Sequence, residues 1–173
     1  RRVLDLARTQ GHGQVLPSAL ANQGAVLFAC GRLEEAREAF AQSLQLVGGD
    51  GADHQMAKVL GLRLATIDRH LGRYGHAVTT LEALLAKDLA PSQRDEARLT
   101  LVLALADMGQ TARALHLAKA EPVADDGPFA HAWYEGLAGL DGATAASWEA
   151  RALASAERLL AGPTERRHRF AAW

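Results

Sequence analysis

Apolar residues recur along this chain in steps of three and four, and three glycines interrupt them at similar intervals. After Gly31 the apolar positions are Leu33, Ala36, Phe40 and Leu44; after Gly72 they are Tyr74, Ala77, Leu81 and Leu85. After Gly109, Thr111, Ala114 and Ala118 keep the first three of these offsets with smaller side chains. Steps of three and four place residues on one stripe of an α-helix. Upstream, Gly24, Ala65 and Val102 stand seven residues before the glycines, and Leu27, Asp68 and Leu105 stand four before. The pattern predicts a helix, a sharp turn at glycine and a second helix, three times over, at intervals of 41 and 37 residues (Gly31 to Gly72, Gly72 to Gly109). Glycine supplies the backbone freedom for the turn. The alanine five residues later is small enough for two helices to approach closely, and the residue four further on fills the space beside it. One such hairpin cannot bury its apolar faces alone, so hairpins must stack.

Helices are predicted over 17–30, 33–47, 54–71, 74–88, 91–108 and 111–119. A fourth hairpin is predicted over 129–140 and 144–161, turning at Asp141-Gly142. Ser92 and Asp95 are spaced like a capping box after Pro91. Residues 1–10 read as the last helix of an earlier unit, ended by GHG at 11–13, and GGDGAD at 48–53 reads as a loop. The organisation expected is a leading segment over 1–16, repeats over 17–121 (17–50, 58–91 and 95–121), a capping hairpin over 122–163 and a basic tail over 164–173. EPVADDGP at 121–128 is the strongest break, and Gly162-Pro163 stops the last helix. The fold class is therefore all-α, an α-solenoid of three to four stacked hairpins.

Composition agrees. About a fifth of the residues are alanine and aromatics are 5%, which favours helix. A formal net charge of −1 and a pI near 6.7 exclude the strongly basic footprint of a nucleic-acid binder. No apolar run approaches the length of a membrane span, and the single cysteine, Cys30, allows no intramolecular disulfide. A cytoplasmic setting is expected. The sequence does not begin with methionine, and a segment of a longer protein is expected.

Candidate chemistry is sparse. The seven histidines show no paired-ligand spacing on one helix face, so no metal is implied. GGDGAD lacks the ligand pattern of a calcium loop, and there is no phosphate loop of the GxxxxGK[ST] kind, so no cofactor is implied. Cys30 has no base beside it and reads as a buried spacer at a helix end. No nucleophile-elbow sequence occurs, and the expectation is a protein that is not an enzyme. Asp68 replaces the leucine of the other units. It either meets Arg69, Arg73 or solvent, or makes a recognition contact.

The repeated unit resembles the tetratricopeptide repeat, a helix-turn-helix of about 34 residues. Gly24, Leu27, Gly31, Ala36 and Phe40 fall on signature positions in the first unit, as do Leu64, Ala65, Gly72, Tyr74 and Ala77 in the second. Leu20 and Gly61 stand where the family's first-helix aromatic would be. Long connections and few aromatics resemble the arrays of large bacterial regulators. The resemblance implies that first helices line a concave groove, with Ala21, Asn22 and Phe28 from the first unit, Leu62, Arg63, Thr66 and Arg69 from the second, and Leu99 and Leu103 from the third. Ser18, Ala25, Val59, Glu96, Thr100 and Ala106 share this register. The lysine and asparagine clamp of chaperone-tail binders is absent, and the apolar groove fits an inserted helix of a partner or of the same chain. If a short superhelix closes on itself, the same residues are core.

The function expected is a protein-interaction or scaffold module that binds a partner helix or peptide, within a larger bacterial regulator. The alternatives are a freestanding adaptor or homo-oligomer, and a ligand-sensing array with a pocket beneath Arg63 and Arg69. No direct nucleic-acid or membrane partner is expected. On the groove reading, Leu62→Asp with Leu99→Asp abolishes partner binding while helicity, followed by circular dichroism, survives; a collapse of helicity instead makes both residues core.

Overall fold

The computed structural model describes residues 15–47, 54–120, 129–142 and 145–161. The expected leading helix, the GHG turn, the GGDGAD and EPVADDGP loops, the Gly162-Pro163 stop and the basic tail lie outside these residues. The described residues form eight α-helices and no strand: α1 (Val15–Ala29), α2 (Leu33–Val47), α3 (His54–His70), α4 (Tyr74–Leu85), α5 (Pro91–Asp107), α6 (Thr111–Ala120), α7 (Ala130–Leu140) and α8 (Ala145–Ala161). They pair in chain order into four hairpins, as the periodicity predicts. Two compact units divide the chain, one ending at Leu89 and the other beginning at Ala90.

The three glycine turns are built alike. Gly31, Gly72 and Gly109 have φ of 73°, 74° and 75°, the left-handed region that a side chain disfavours. At each, two backbone bonds close the preceding helix. The Gly31 N–H donates to the Phe28 carbonyl and the Arg32 N–H to Leu27, both at 2.9 Å. Gly72 donates to Arg69 at 3.0 Å and Arg73 to Asp68 at 2.7 Å. Gly109 donates to Ala106 at 2.8 Å and Gln110 to Leu105 at 2.9 Å. This is the Schellman arrangement, which satisfies carbonyls that a helix end leaves open. The residue four before each glycine is therefore the acceptor of the outer bond.

In the first unit α1 runs against α2, α2 against α3, and α3 against α4. Gly24 lets the first two helices close: a Cβ there would lie 3.0 Å from the Phe40 ring. Further along the same hairpin, the Ser43 hydroxyl donates to the Pro17 carbonyl at 2.8 Å. Ala36, Phe40, Val47, Leu60 and Ile67 form the buried centre, with Leu27, Phe28, Leu33 and Leu44 packed around it. The alanine five residues after each glycine (Ala36, Ala77, Ala114) is fully buried in every case. Adding methyl groups at such a contact forces helices apart, at a cost of about 1–3 kcal/mol.

In the second unit α5 pairs with α6, α7 lies against both, and α8 closes on α7. Among the described residues its aromatic side chains lie at the α7–α8 hairpin, where Trp133 and Tyr134 are buried. The Trp148 ring stacks on Tyr134 at 6.1 Å with 7° between planes, and Arg151 donates to the Tyr134 hydroxyl at 2.9 Å. The start of α5 departs from the expected cap. Ala90 is the residue before the helix, Pro91 begins it, and the Ala90 N–H donates to the Gln93 side chain at 3.2 Å. Ser92 and Asp95 thus lie inside the helix rather than across its boundary, because proline, with no N–H to satisfy, takes the first helical position.

Replacing Gly72 by alanine forces a side chain into the left-handed region without meeting any neighbour, so its cost is conformational. A loss of about 1–2 kcal/mol is expected in chemical denaturation, whereas Gly75→Ala, in open space within α4, is expected to raise stability by about 0.5–1 kcal/mol.

Candidate functional site

Asp68 settles first. It is 4% exposed and faces the neighbouring hairpin of its own unit. Arg37 of α2 donates from Nε to its carboxylate at 2.6 Å, and the Arg73 guanidinium lies 3.8 Å away. Arg73 in turn donates to Glu34 of α2 at 2.9 Å. The hydrogen bond to Asp68 raises the Arg37 pKa, so the cation persists. Arg73 was within reach of the sequence reading; Arg37 was missed. In a Schellman turn the residue two after the cap commonly touches the acceptor of the outer bond through apolar atoms. Asp68 and Arg73 occupy those two places and make a charge contact instead. The group is an internal joint between hairpins, and the recognition reading of Asp68 falls because its carboxylate is enclosed.

The predicted groove residues divide by unit. In the first, Asn22 is exposed, and Ala21, Phe28, Arg63, Thr66 and Arg69 are half-buried. Phe28 packs against the His70 ring at 5.9 Å, which ties α1 to the end of α3. Thr66 spends its hydroxyl on the Leu62 carbonyl at 3.0 Å. Leu62 itself is 4% exposed. In the second unit Leu99 is 6% exposed and Leu103 is half-buried, 3.5 Å from where a Cβ on Gly136 would stand. Glu96 and Thr100 are buried as well, with the Thr100 hydroxyl on the Glu96 carbonyl at 2.9 Å. Leu62 and Leu99 are therefore core, and the expectation that aspartate there spares helicity is corrected: it would bury an unpaired charge. Helix α5 is covered on nearly every side, so its first-helix register does not make a groove wall. Burial pushes the Asp95 carboxyl above its ordinary range, against the pull of Arg98 and Arg94.

What remains open lies on α1. Val15, Ser18, Asn22, Ala25, Val26 and Ala29 form one continuous exposed face, with Val26 64% and Val15 51% exposed. The opposite face (Pro17, Leu20, Gly24) is buried. Sequence reasoning placed Ser18, Asn22 and Ala25 of this face in the groove register and missed Val15, Val26 and Ala29. The missed signal was that the apolar residues of α1 are spread round its circumference, so burying one side leaves Val15, Ala25, Val26 and Ala29 on the other.

Beside this face, Leu20, Gln23 and Leu27 of α1 and Glu35, Glu38, Ala39 and Gln42 of α2 line a slot of about 110 Å³. Arg32 pairs with Glu35 at one end of it. Cys30 is exposed, not the buried spacer expected, because it caps α1 on the solvent side of the turn. Among the described residues no three His, Cys, Asp or Glu side chains converge as a metal site, and no helix is long and apolar enough to cross a membrane. No family model and no curated protein matches the sequence.

The joint at Asp68 is testable. Asp68→Ala leaves Arg37 without its acceptor and is expected to lower stability by about 1–3 kcal/mol in denaturant titration. Asp68→Leu, the residue type of the other two turns, should cost less, because Arg37 and Arg73 both reach water. A double-mutant cycle with Arg37→Ala should show coupling between the two positions.

Proposed function

We propose that this chain is a protein-interaction module that binds a partner helix on the surface of its first unit. On this reading it belongs to the tetratricopeptide-like arrays and acts in the cytoplasm as one segment of a larger bacterial regulatory or signalling protein. It works by holding a partner, not by transforming a substrate. The observation that carries the reading is the face of α1. A helix with apolar residues on both sides is ordinarily enclosed, and here the open side presents Val15, Ala25, Val26 and Ala29, beside Ser18 and Asn22, to solvent. An exposed helical face that carries several apolar residues is the kind of surface that accepts an amphipathic helix. Asn22 stands on this face, and half-buried Ala21 and Phe28 border it towards α3. The repeated glycine turns, the signature alanines and the long connections support the family reading.

The test uses the full chain as bait for a phage-displayed library of helical peptides. Selected peptides should lose about tenfold or more in affinity against Val26→Asp, with the circular dichroism spectrum unchanged. Leu153→Asp, on the exposed side of α8, should leave binding as it was. Failure to select any peptide, or peptides that bind Val26→Asp as well as the parent, would sink the reading.

A further inference from the structure

We propose that the slot beside α1 takes one cationic side chain of the bound helix, arginine in preference to lysine. The inference rests on the interaction reading and names the chemistry of the partner. Leu20, Gln23 and Leu27 lie on one stripe of α1, and Glu35, Glu38, Ala39 and Gln42 on one stripe of α2. The hairpin brings the stripes together antiparallel. Leu20 and Ala39 are buried at its base, Leu27 is half-buried, and Glu38 and Gln42 are exposed, so the open surface of the slot is mostly polar.

Charge decides the occupant. The slot is lined by two carboxylates and no cation. Glu35 is matched by Arg32. The other cations of the hairpin joint are committed elsewhere: Arg37 to Asp68, and Arg73 to Asp68 and Glu34. Glu38 has no ion-pair partner among the described residues, and the Gln23 and Gln42 amides make no hydrogen bond among them. One carboxylate and two amide oxygens therefore line a mostly polar slot. An arginine side chain matches this lining: its methylenes pass beside half-buried Leu27, and its guanidinium spreads several donors to separate acceptors. A lysine would fill the slot but bring a single compact head. The volume of about 110 Å³ suits one long side chain, not a backbone segment. The position suits it too. Gln23 lies one helical step round from Val26, so a helix on the exposed face of α1 can reach over that edge.

The test continues with peptides that depend on Val26. They should carry arginine, less often lysine, at one constant position. Their affinity should fall about threefold against Glu38→Gln and about tenfold against Glu38→Arg. Replacing the peptide arginine by citrulline, which keeps shape and loses charge, should cost about the same as Glu38→Gln and add nothing when combined with it. Glu38 is exposed, so these variants should fold, and circular dichroism checks that they do. Val26-dependent peptides with no constant basic residue, or with affinity indifferent to Glu38→Arg, overturn the slot proposal and leave the interaction reading standing. The absence of any Val26-dependent peptide overturns both.

Discussion

Each of the first three hairpins depends on one glycine held in the left-handed backbone region. Gly31, Gly72 and Gly109 take nearly the same φ and close the preceding helix with the same pair of backbone bonds. That fixed geometry sets where the second helix departs, and therefore which residues of the two helices meet. Ala36, Ala77 and Ala114 are fully buried because the turn delivers the second helix at a constant height. Phe40 and Leu81 fill the next space for the same reason. A turn that varied from unit to unit would require different packing residues in each. The constancy of the turn is what lets a short repeated pattern of small and large residues suffice.

Within this frame the two units put their apolar residues to different use. In the second, α5 is enclosed on almost all sides and the aromatic residues of α7 are buried against their neighbours. In the first, α1 carries as much apolar character as a buried helix yet keeps a solvent face. The contrast explains why the proposed binding surface belongs to the first unit. It also explains why residues sharing one register in the repeat (Asn22, Arg63 and Thr100, for example) do not share one role. Register fixes direction along and around a helix; what lies in that direction depends on the rest of the fold.

Much of the fold was legible because it rests on local rules. Helix positions followed from spacing, and the turns from glycine and from what surrounds it. The Ser92–Asp95 cap was misplaced because two overlapping signals competed, and Pro91 with Gln93 prevailed. The site was less legible. The groove was assigned by carrying one register across units, and burial of Leu62 and Leu99 shows the limit of that step. The exposure of α1 was available in its composition, since Val15, Ala25 and Val26 interrupt any clean amphipathic division. The partner of Asp68 was available too. Six residues after the glycines stand Arg37, Val78 and Leu115. The one unit with a cation there precedes the one unit with a carboxylate four before its glycine.

That pairing makes the hairpins unequal members of the series. Arg37 and Asp68 form a lock between the first hairpin and the second, built from opposite charges where Val78 and Leu105 offer only apolar surface in the corresponding places of the sequence. A hairpin bearing Leu105 in place of Asp68 would leave Arg37 only water to pair with, and one bearing Val78 in place of Arg37 would leave Asp68 short of its closest cation. Buried charge of this sort adds little to stability but discriminates between alternatives. The order of the first two hairpins is thus written into the chain chemically as well as covalently, and neither could be exchanged for a duplicate of another without breaking the match.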